Sequence, residues 1–401
     1  MINIAGASEG RIALVITELL NDKKGQCLIV VPTLNRARRL QTDLSFFSAR
    51  AKAESGEEEE RRILILPPED EGVAAYEAKS NDTLLERMRV LKTVAKDDPC
   101  IFIAPVTAAI RRLPPKETFR ENILELKQGQ DIDVSAVQKR LNRLGYERVP
   151  MIEACGEYSI RGGIIDIFTP EGKHPFRIEL FDTEIDSIRT FDVETQRSEE
   201  MLESISVYQC SQIARDEEVF ARASGKIRRA YDRAIRKAGS GTEQAAELEK
   251  RKGQLLEYTD SMLNLQYMEK FLGYFYDETE SILDYMNNPV IMVDDPARIV
   301  ETLEAELSKQ EYEISEILAG GRGIKEDFAL MARAEDFFKL YDMPEEKGLE
   351  GYIFTPFVMT IKGGMKSSEG PYLTELRQIN TRQMPQYGGH KDQLRADLEN
   401  Y

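Results

Sequence analysis

The chain has 401 residues, and 54 lysines and arginines against 71 aspartates and glutamates give it a formal net charge of −17. That balance excludes a protein whose overall surface binds nucleic-acid phosphates, because such binding comes from clustered cations. Hydrophobic residues make up 41% and charged residues 31% of the chain, as in globular proteins, and about 100–200 residues per domain predict two to four domains.

The first part of the chain, residues 1–121, alternates between strand and helix patterns. Continuous apolar runs at residues 27–31, 63–66 and 100–104 each end at a proline, which is typical of strands buried on both faces. Helical patterns lie between them, at residues 12–20, 33–47 and 83–95. This rhythm predicts a parallel sheet with helices packed on it.

The character of the chain changes twice after that. Residues 122–207 combine an amphipathic helix with short strands and Pro/Gly turns, which predicts a small α+β unit with antiparallel hairpins. Later residues have helical patterns at 208–290, 297–307 and 310–342, strand patterns at 289–293 and 352–357, a linker and loops at 360–388, and a lone helix at 391–399. Because both ends stop inside structured patterns, we expect a piece of a longer chain.

A glycine-rich turn near the N-terminus lies where a phosphate-binding loop would lie. Such a loop reads G-x-x-x-x-G-K-S/T, with the lysine on the phosphates and the hydroxyl on magnesium. With Gly6 as the first glycine, Arg11, Ile12 and Ala13 replace the glycine, lysine and hydroxyl residue, and Gly10 falls inside the loop. We therefore expect a turn into a helix that binds no nucleotide, or the remnant of a nucleotide site.

A strand pattern at Phe176–Phe181 carries the second candidate site. If Ile178 faces the core, then Arg177, Glu179 and Phe181 share the opposite face. An exposed phenylalanine beside an arginine is typical of a protein interface. The alternative is that Phe181 packs beneath a neighbouring loop and that Arg177 pairs with Glu179 or Asp182.

The remaining polar clusters favour ordinary surface or core roles. We expect Asp182, Glu184 and Asp186 to form a solvated edge, and basic clusters such as Arg36-Arg38-Arg39 to lie on solvated helix faces. Tyr274, Phe275 and Tyr276 read mainly as core, and Asp294-Asp295 resembles a magnesium motif that has no phosphate loop to work with.

Metal, disulfide and membrane chemistry have little support in the composition. The scattered cysteines are Cys27, Cys100, Cys155 and Cys210, and the histidines are His174 and His390. Neither set has the spacing of a disulfide framework or a zinc module, and no apolar run approaches the roughly 20 residues of a membrane span. We expect reduced thiols in the cytoplasm, no metal, no catalytic residues and no membrane partner.

A longer motif resembles a known family. The letters RGGIIDIF at residues 161–168, RIELFDTEIDSIR at 177–189, FD at 191–192 and TQRS at 195–198 resemble the N-terminal module of the bacterial transcription-repair coupling factors, which is itself similar to the excinuclease subunit UvrB. The resemblance implies an α/β fold: a degenerate P-loop, helicase-like parallel-sheet domain in two lobes, with a small α+β domain inserted.

The resemblance also implies where these units begin and end. Domain 1a, the degenerate P-loop lobe, would cover residues 1–121, and the inserted domain 2 would cover 122–207. Domain 1b, which completes domain 1, would cover 208–378, and 379–401 would be a linker and the truncated start of a further domain. The family's motor domain, its ATP and magnesium, and its RNA polymerase and DNA contacts would lie outside this chain, since no G-x-x-x-x-G-K-S/T motif is present.

The function follows from the resemblance. Domain 2 of the family recruits the excinuclease subunit UvrA, and the docking residues fall here on Arg161, Arg177 and Phe181. The module would bind no cofactor, catalyse nothing itself, and contact the C-terminal domains of the full-length protein. Two alternatives stay open: a structural or autoinhibitory domain that masks the motor, and a UvrB-like ATPase that acts on damaged DNA.

Overall fold

The first part of the chain forms the predicted alternation of strands and helices. The computed structural model describes residues 1–55, 61–68, 82–170, 172–331, 333–356, 375–379 and 391–399. Up to residue 121 the elements are β1 (Ile2–Ala5), α1 (Glu9–Leu20), β2 (Cys27–Val31), α2 (Leu34–Ser55), β3 (Arg62–Ile65), α3 (Asp82–Ala95), β4 (Cys100–Pro105), α4 (Val106–Ala109) and α5 (Lys116–Glu121).

The middle part is dominated by short strands. Its elements are β5 (Ile123–Lys127), α6 (Val134–Arg143), β6 (Glu147–Arg148), β7 (Glu157–Arg161), β8 (Ile164–Ile167), β9 (Phe176–Phe181), β10 (Glu184–Phe191), β11 (Ser198–Leu202) and β12 (Ser204–Tyr208). Asp133 caps α6 by accepting a hydrogen bond from the Ser135 amide, which explains where this helix begins.

The last part is mostly helical. Its elements are α7 (Glu217–Ala238), α8 (Glu243–Ser261), α9 (Leu265–Met268), a 3-10 turn (Glu269–Phe271), α10 (Leu272–Phe275), α11 (Ile282–Tyr285), β13 (Val290–Asp294), α12 (Pro296–Ala319), a second 3-10 turn (Lys325–Phe328), α13 (Ala334–Glu346), β14 (Gly351–Thr355), β15 (Glu375–Gln378) and α14 (Lys391–Glu399). None of the helices in the described part of the chain is long and apolar enough to cross a bilayer.

Three predictions for this last part are wrong. The helix expected to end near residue 307 continues to Ala319, and the helical segment predicted to follow it is divided by the second 3-10 turn. The segment predicted as linker and loops contains β15, which pairs with β1. The rest of that segment lies outside the described residues.

A seven-stranded parallel sheet forms the centre of the larger unit, in the order β15-β1-β14-β13-β2-β4-β3. Successive residues of β2 enter different cores: Leu28 and Val30 pack on one face of the sheet, and Ile29 packs on the other. Both faces are therefore covered, which explains the continuous apolar runs in the sequence. The predicted α/β class is confirmed.

A separate six-stranded sheet, in the order β11-β10-β9-β8-β7-β6, lies between the two groups of parallel strands along the chain. Its pairs are antiparallel except β6 with β7. Its inner face packs with α6 and the β5–β12 pair around residues such as Ile165, Ile178, Leu141 and Val207. The sheet topology shows an insertion, while the exact limits of the four predicted domains stay predictions.

Candidate functional site: the outer face of the six-stranded sheet

The outer face of the six-stranded sheet carries the predicted docking residues. Ile178 is fully buried on the inner face of β9, so the predicted alternation is confirmed. On the opposite face, at the end of the same strand, the Phe181 side chain is 80% exposed. The alternative in which Phe181 packs beneath a neighbouring loop is therefore wrong. An exposed aromatic ring of this size is a candidate contact for another protein.

Arg161 and Arg177 approach this face from two different strands and meet one carboxylate. The Nε of Arg177 donates to Asp166 Oδ1 at 2.8 Å, and its Nη2 donates to Oδ2 at 3.0 Å. The Nη2 of Arg161 donates to the same Oδ2 at 3.1 Å. The hydrogen bonds to Asp166 raise the pKa of Arg177 above its usual value, although burial opposes the shift.

The pairing proposed for Arg177 in the alternative interpretation is also wrong. Arg177 pairs with Asp166 on β8, and Glu179 instead accepts hydrogen bonds from both terminal nitrogens of Arg189 on β10. Those bonds from Arg189 are the strongest influence lowering the pKa of Glu179. Glu179 is thus paired with Arg189, while Asp166 is the acid that Arg161 and Arg177 share.

Three residues that hold Arg177 were missed by the sequence analysis. Besides Asp166, the Oε1 of Gln196 accepts a hydrogen bond from Arg177 Nη2 at 2.8 Å, and the Arg177 guanidinium lies 4.0 Å from the centre of the Phe191 ring. Both Asp166 and Gln196 fall inside the motif that carried the family resemblance. Their role was hidden because it depends on the register between strands, which one strand's alternation does not reveal.

The degenerate loop forms a tight turn into α1. Gly6 has a φ of +83°, and its amide donates to Thr355 O at 2.9 Å. A Cβ at this glycine would lie 2.6 Å from the backbone oxygen of Ile379. Ile12 and Ala13, which the sequence analysis aligned with the lysine and the hydroxyl residue of a phosphate loop, are buried in the core beside the sheet, and Gly10 and Arg11 are exposed on α1.

The acidic pair at the end of β13 has structural partners. Asp294 is buried and accepts a hydrogen bond of 2.6 Å from Arg36 Nε, while Arg36 Nη1 lies 3.8 Å from Glu9. Burial raises the pKa of Asp294, against the opposing effect of Arg36. Asp295 caps α12 through the Arg298 amide. Arg36, predicted on a solvated helix face, is instead mostly buried, because α2 places its guanidinium against Asp294 at the end of β13.

The other polar clusters stay at the surface or in the core. Asp182, Glu184 and Asp186 are exposed, as predicted for a solvated edge. Nearby, ligand atoms of His174, Asp192 and Glu199 lie within 4.8 Å of one another, although Asp192 already accepts two hydrogen bonds from Thr195. We assign no metal to this exposed group.

Comparisons with known proteins agree with the motif. Residues 124–212, which include the whole candidate face, match the family model described as the UvrB interaction domain. Over 99% of its length the chain is 29% identical to the transcription-repair-coupling factors of two Staphylococcus aureus strains, MRSA252 and USA300, and of Staphylococcus epidermidis. The predicted resemblance is confirmed. The chain spans about a third of these relatives, 32% of their length.

Proposed function

We propose that this chain is a recruitment module of transcription-coupled excision repair, which docks the excinuclease subunit UvrA on the outer face of its six-stranded sheet. The observation that carries the proposal is the 80% exposure of Phe181 on the same face as the Arg161–Asp166–Arg177 cluster. This face lies within the segment that matches the UvrB interaction domain, and a factor that resembles UvrB there has the means to bind UvrB's partner.

The chemistry of the face suits a protein partner. An aromatic anchor beside arginines is the composition found at interface hot spots. On a chain with a net charge of −17, a local arginine cluster favours an acidic patch on the partner and so adds selectivity to the contact. RNA polymerase and DNA would be engaged by other parts of a full-length coupling factor, and contact with its C-terminal domains would regulate access to this face.

The test is binding of purified UvrA to variants of the whole chain, measured by calorimetry. We expect Phe181→Ala to weaken the affinity about 30-fold, which is about 2 kcal/mol for a hot-spot aromatic residue. Arg161→Glu should weaken it further, by about 2–5 kcal/mol, since it places like charges at the contact. The exposed Phe181 side chain supports no core contact, so Phe181→Ala should leave the melting temperature unchanged, and circular dichroism checks that Arg161→Glu is folded at the temperature of the binding assay.

The matched control is Tyr312→Ala, which removes an exposed aromatic ring from α12, away from the candidate face. Tyr312→Ala should bind UvrA as the unaltered chain does. Equal affinities for all three variants and the unaltered chain, or no measurable UvrA binding at all, would contradict the proposed function.

The proposal includes that this chain binds no nucleotide and catalyses nothing by itself. The lysine and hydroxyl of a phosphate loop are replaced by the buried Ile12 and Ala13, and the backbone of Ile379 lies against Gly6. Asp294 is occupied by Arg36. Calorimetric titration with millimolar ATP and Mg²⁺ should give no more heat than titration with Mg²⁺ alone. Tight binding of ATP would favour a UvrB-like ATPase instead.

A further inference from the structure

Two of the three predicted docking residues are fixed by a single buried carboxylate. Asp166 lies on β8 directly opposite Arg177 on β9 and opposite Ser159 on β7, two residues from Arg161. This register brings both arginines to the same acid, whose side chain is 1% exposed. One carboxylate oxygen serves Arg177 alone, and the other accepts hydrogen bonds from both arginines.

The two arginines differ in how much of the guanidinium group remains accessible to a partner. The Arg177 side chain is 13% exposed and is held by Asp166, Gln196 and the Phe191 ring. The Arg161 side chain is 47% exposed, and in the described part of the chain its side-chain hydrogen bond is the one to Asp166. Arg161 therefore has guanidinium edges available for a second acceptor, while Arg177 is largely committed within the sheet.

We infer that Asp166 is a positioning residue. Arg177 fixes the Asp166 carboxylate through two hydrogen bonds, and Asp166 in turn holds the Arg161 side chain in the orientation that contacts the partner. This inference rests on the proposed function and deepens it. Two guanidinium groups share one carboxylate, so one positive charge stays uncompensated at the face. This positive charge suits a carboxylate on the partner, which would bind to the open guanidinium edge of Arg161. The carboxylate would lie beside the pocket of the partner that receives the Phe181 ring.

The physical advantage of this arrangement is preorganisation. A free surface arginine loses its rotamer freedom on binding, and that loss reduces the affinity. Asp166 restricts the rotamers of Arg161 before the partner binds, because two hydrogen bonds from Arg177 fix the position of the Asp166 carboxylate. The three residues should consequently act as a unit, and their effects on binding should not be additive.

A double-mutant cycle tests this unit. In Asp166→Asn the side chain keeps its shape but loses its negative charge, and one acceptor oxygen becomes an NH2 donor that faces a guanidinium group. We expect Asp166→Asn to weaken calorimetric binding of UvrA about tenfold, and Arg161→Ala to weaken it about tenfold alone but less than about threefold in the Asp166→Asn background. Phe181→Ala should keep its full effect in that background, because Phe181 does not contact Asp166.

Controls separate positioning from general damage to the fold. Glu179→Gln removes another acid of this face, the one that pairs with Arg189, and should leave the effect of Arg161→Ala intact. If Asp166→Asn fails to fold, Arg177→Lys replaces it in the cycle, because lysine keeps the charge but lacks the forked donor that anchors Asp166.

The outcomes are distinct. Full additivity of Asp166→Asn, or of Arg177→Lys in its place, with Arg161→Ala would overturn the positioning role while the proposed function stands. Loss of the Phe181→Ala effect in the same background would also overturn it, since general distortion of the face would then explain the data. Absence of binding by the unaltered chain would overturn the proposed function itself.

Discussion

Asp294→Ala is expected to lower the free energy of unfolding by about 3–5 kcal/mol, the cost of breaking a buried ion pair by removing one partner. Arg36 donates to Asp294 through Nε, and in the described part of the chain its Nη2 has no hydrogen-bond partner. Without Asp294, the ion-pair partner that the buried guanidinium retains among the described residues is the exposed Glu9, 3.8 Å away. Urea unfolding followed by circular dichroism measures the change.

The neighbouring acid supplies the control for this prediction. Asp295→Ala removes a helix cap and should cost about 1 kcal/mol. The double variant Arg36→Met/Asp294→Leu should recover most of the loss, because it replaces a buried ion pair with apolar side chains. A cost for Asp294→Ala no greater than that for Asp295→Ala would mean that this acid is not a structural partner of Arg36.

Asp327→Ala is expected to lower the free energy of unfolding by about 3–5 kcal/mol, since it leaves three buried donors unpaired. The carboxylate accepts hydrogen bonds from the hydroxyl of Tyr231 at 2.6 Å, the hydroxyl of Tyr274 at 2.7 Å and the amide of Ile324 at 2.9 Å. These bonds join α7, α10 and the second 3-10 turn inside the helical core. Thermal and urea unfolding both report the loss.

The Asp327 prediction has a pH dependence of definite sign. Burial raises the pKa of Asp327 above the ordinary value of 3.8, so its contribution is fully present below that value and declines as the pH rises through the raised pKa. The deficit of Asp327→Ala should therefore be largest in acid. Glu326→Ala, which removes an exposed acid next to it, should cost less than about 1 kcal/mol at any pH. A deficit that grows with pH would contradict the prediction.

The sequence predicted those features that depend on local pattern. The apolar runs around Cys27–Val31 and Cys100–Pro105 predicted buried parallel strands, because both of their faces are covered by helices. Alternation along Phe176–Phe181 predicted that Phe181 lies opposite the core face, but left open whether a neighbouring loop covers it, and in the structure the residue is exposed. Tyr274 and Phe275 were predicted in the core for the same kind of reason, and they are buried there.

Features that depend on distant contacts were not predictable in this way. Arg36 read as a solvated residue because its partner, Asp294, lies far along the chain and reaches it only through the sheet order. Asp166 read as part of a motif, since nothing within one strand reveals that two arginines share it. The segment of β15 was predicted to be a loop because its sequence lacks an apolar pattern. Its residues are exposed in the structure, and only the pairing with β1 makes it a strand.

The order of the parallel strands has a consequence for how the protein is made. β1 pairs with β14 and β15, so the first strand to be synthesised cannot complete its pairing until the last strands have been made. In the six-stranded sheet, by contrast, every pair of neighbouring strands is consecutive along the chain. Contacts between distant segments form slowly because loop closure precedes them. The six-stranded sheet with the candidate face can thus assemble during synthesis, while the α/β unit is completed only after the chain has emerged past β15.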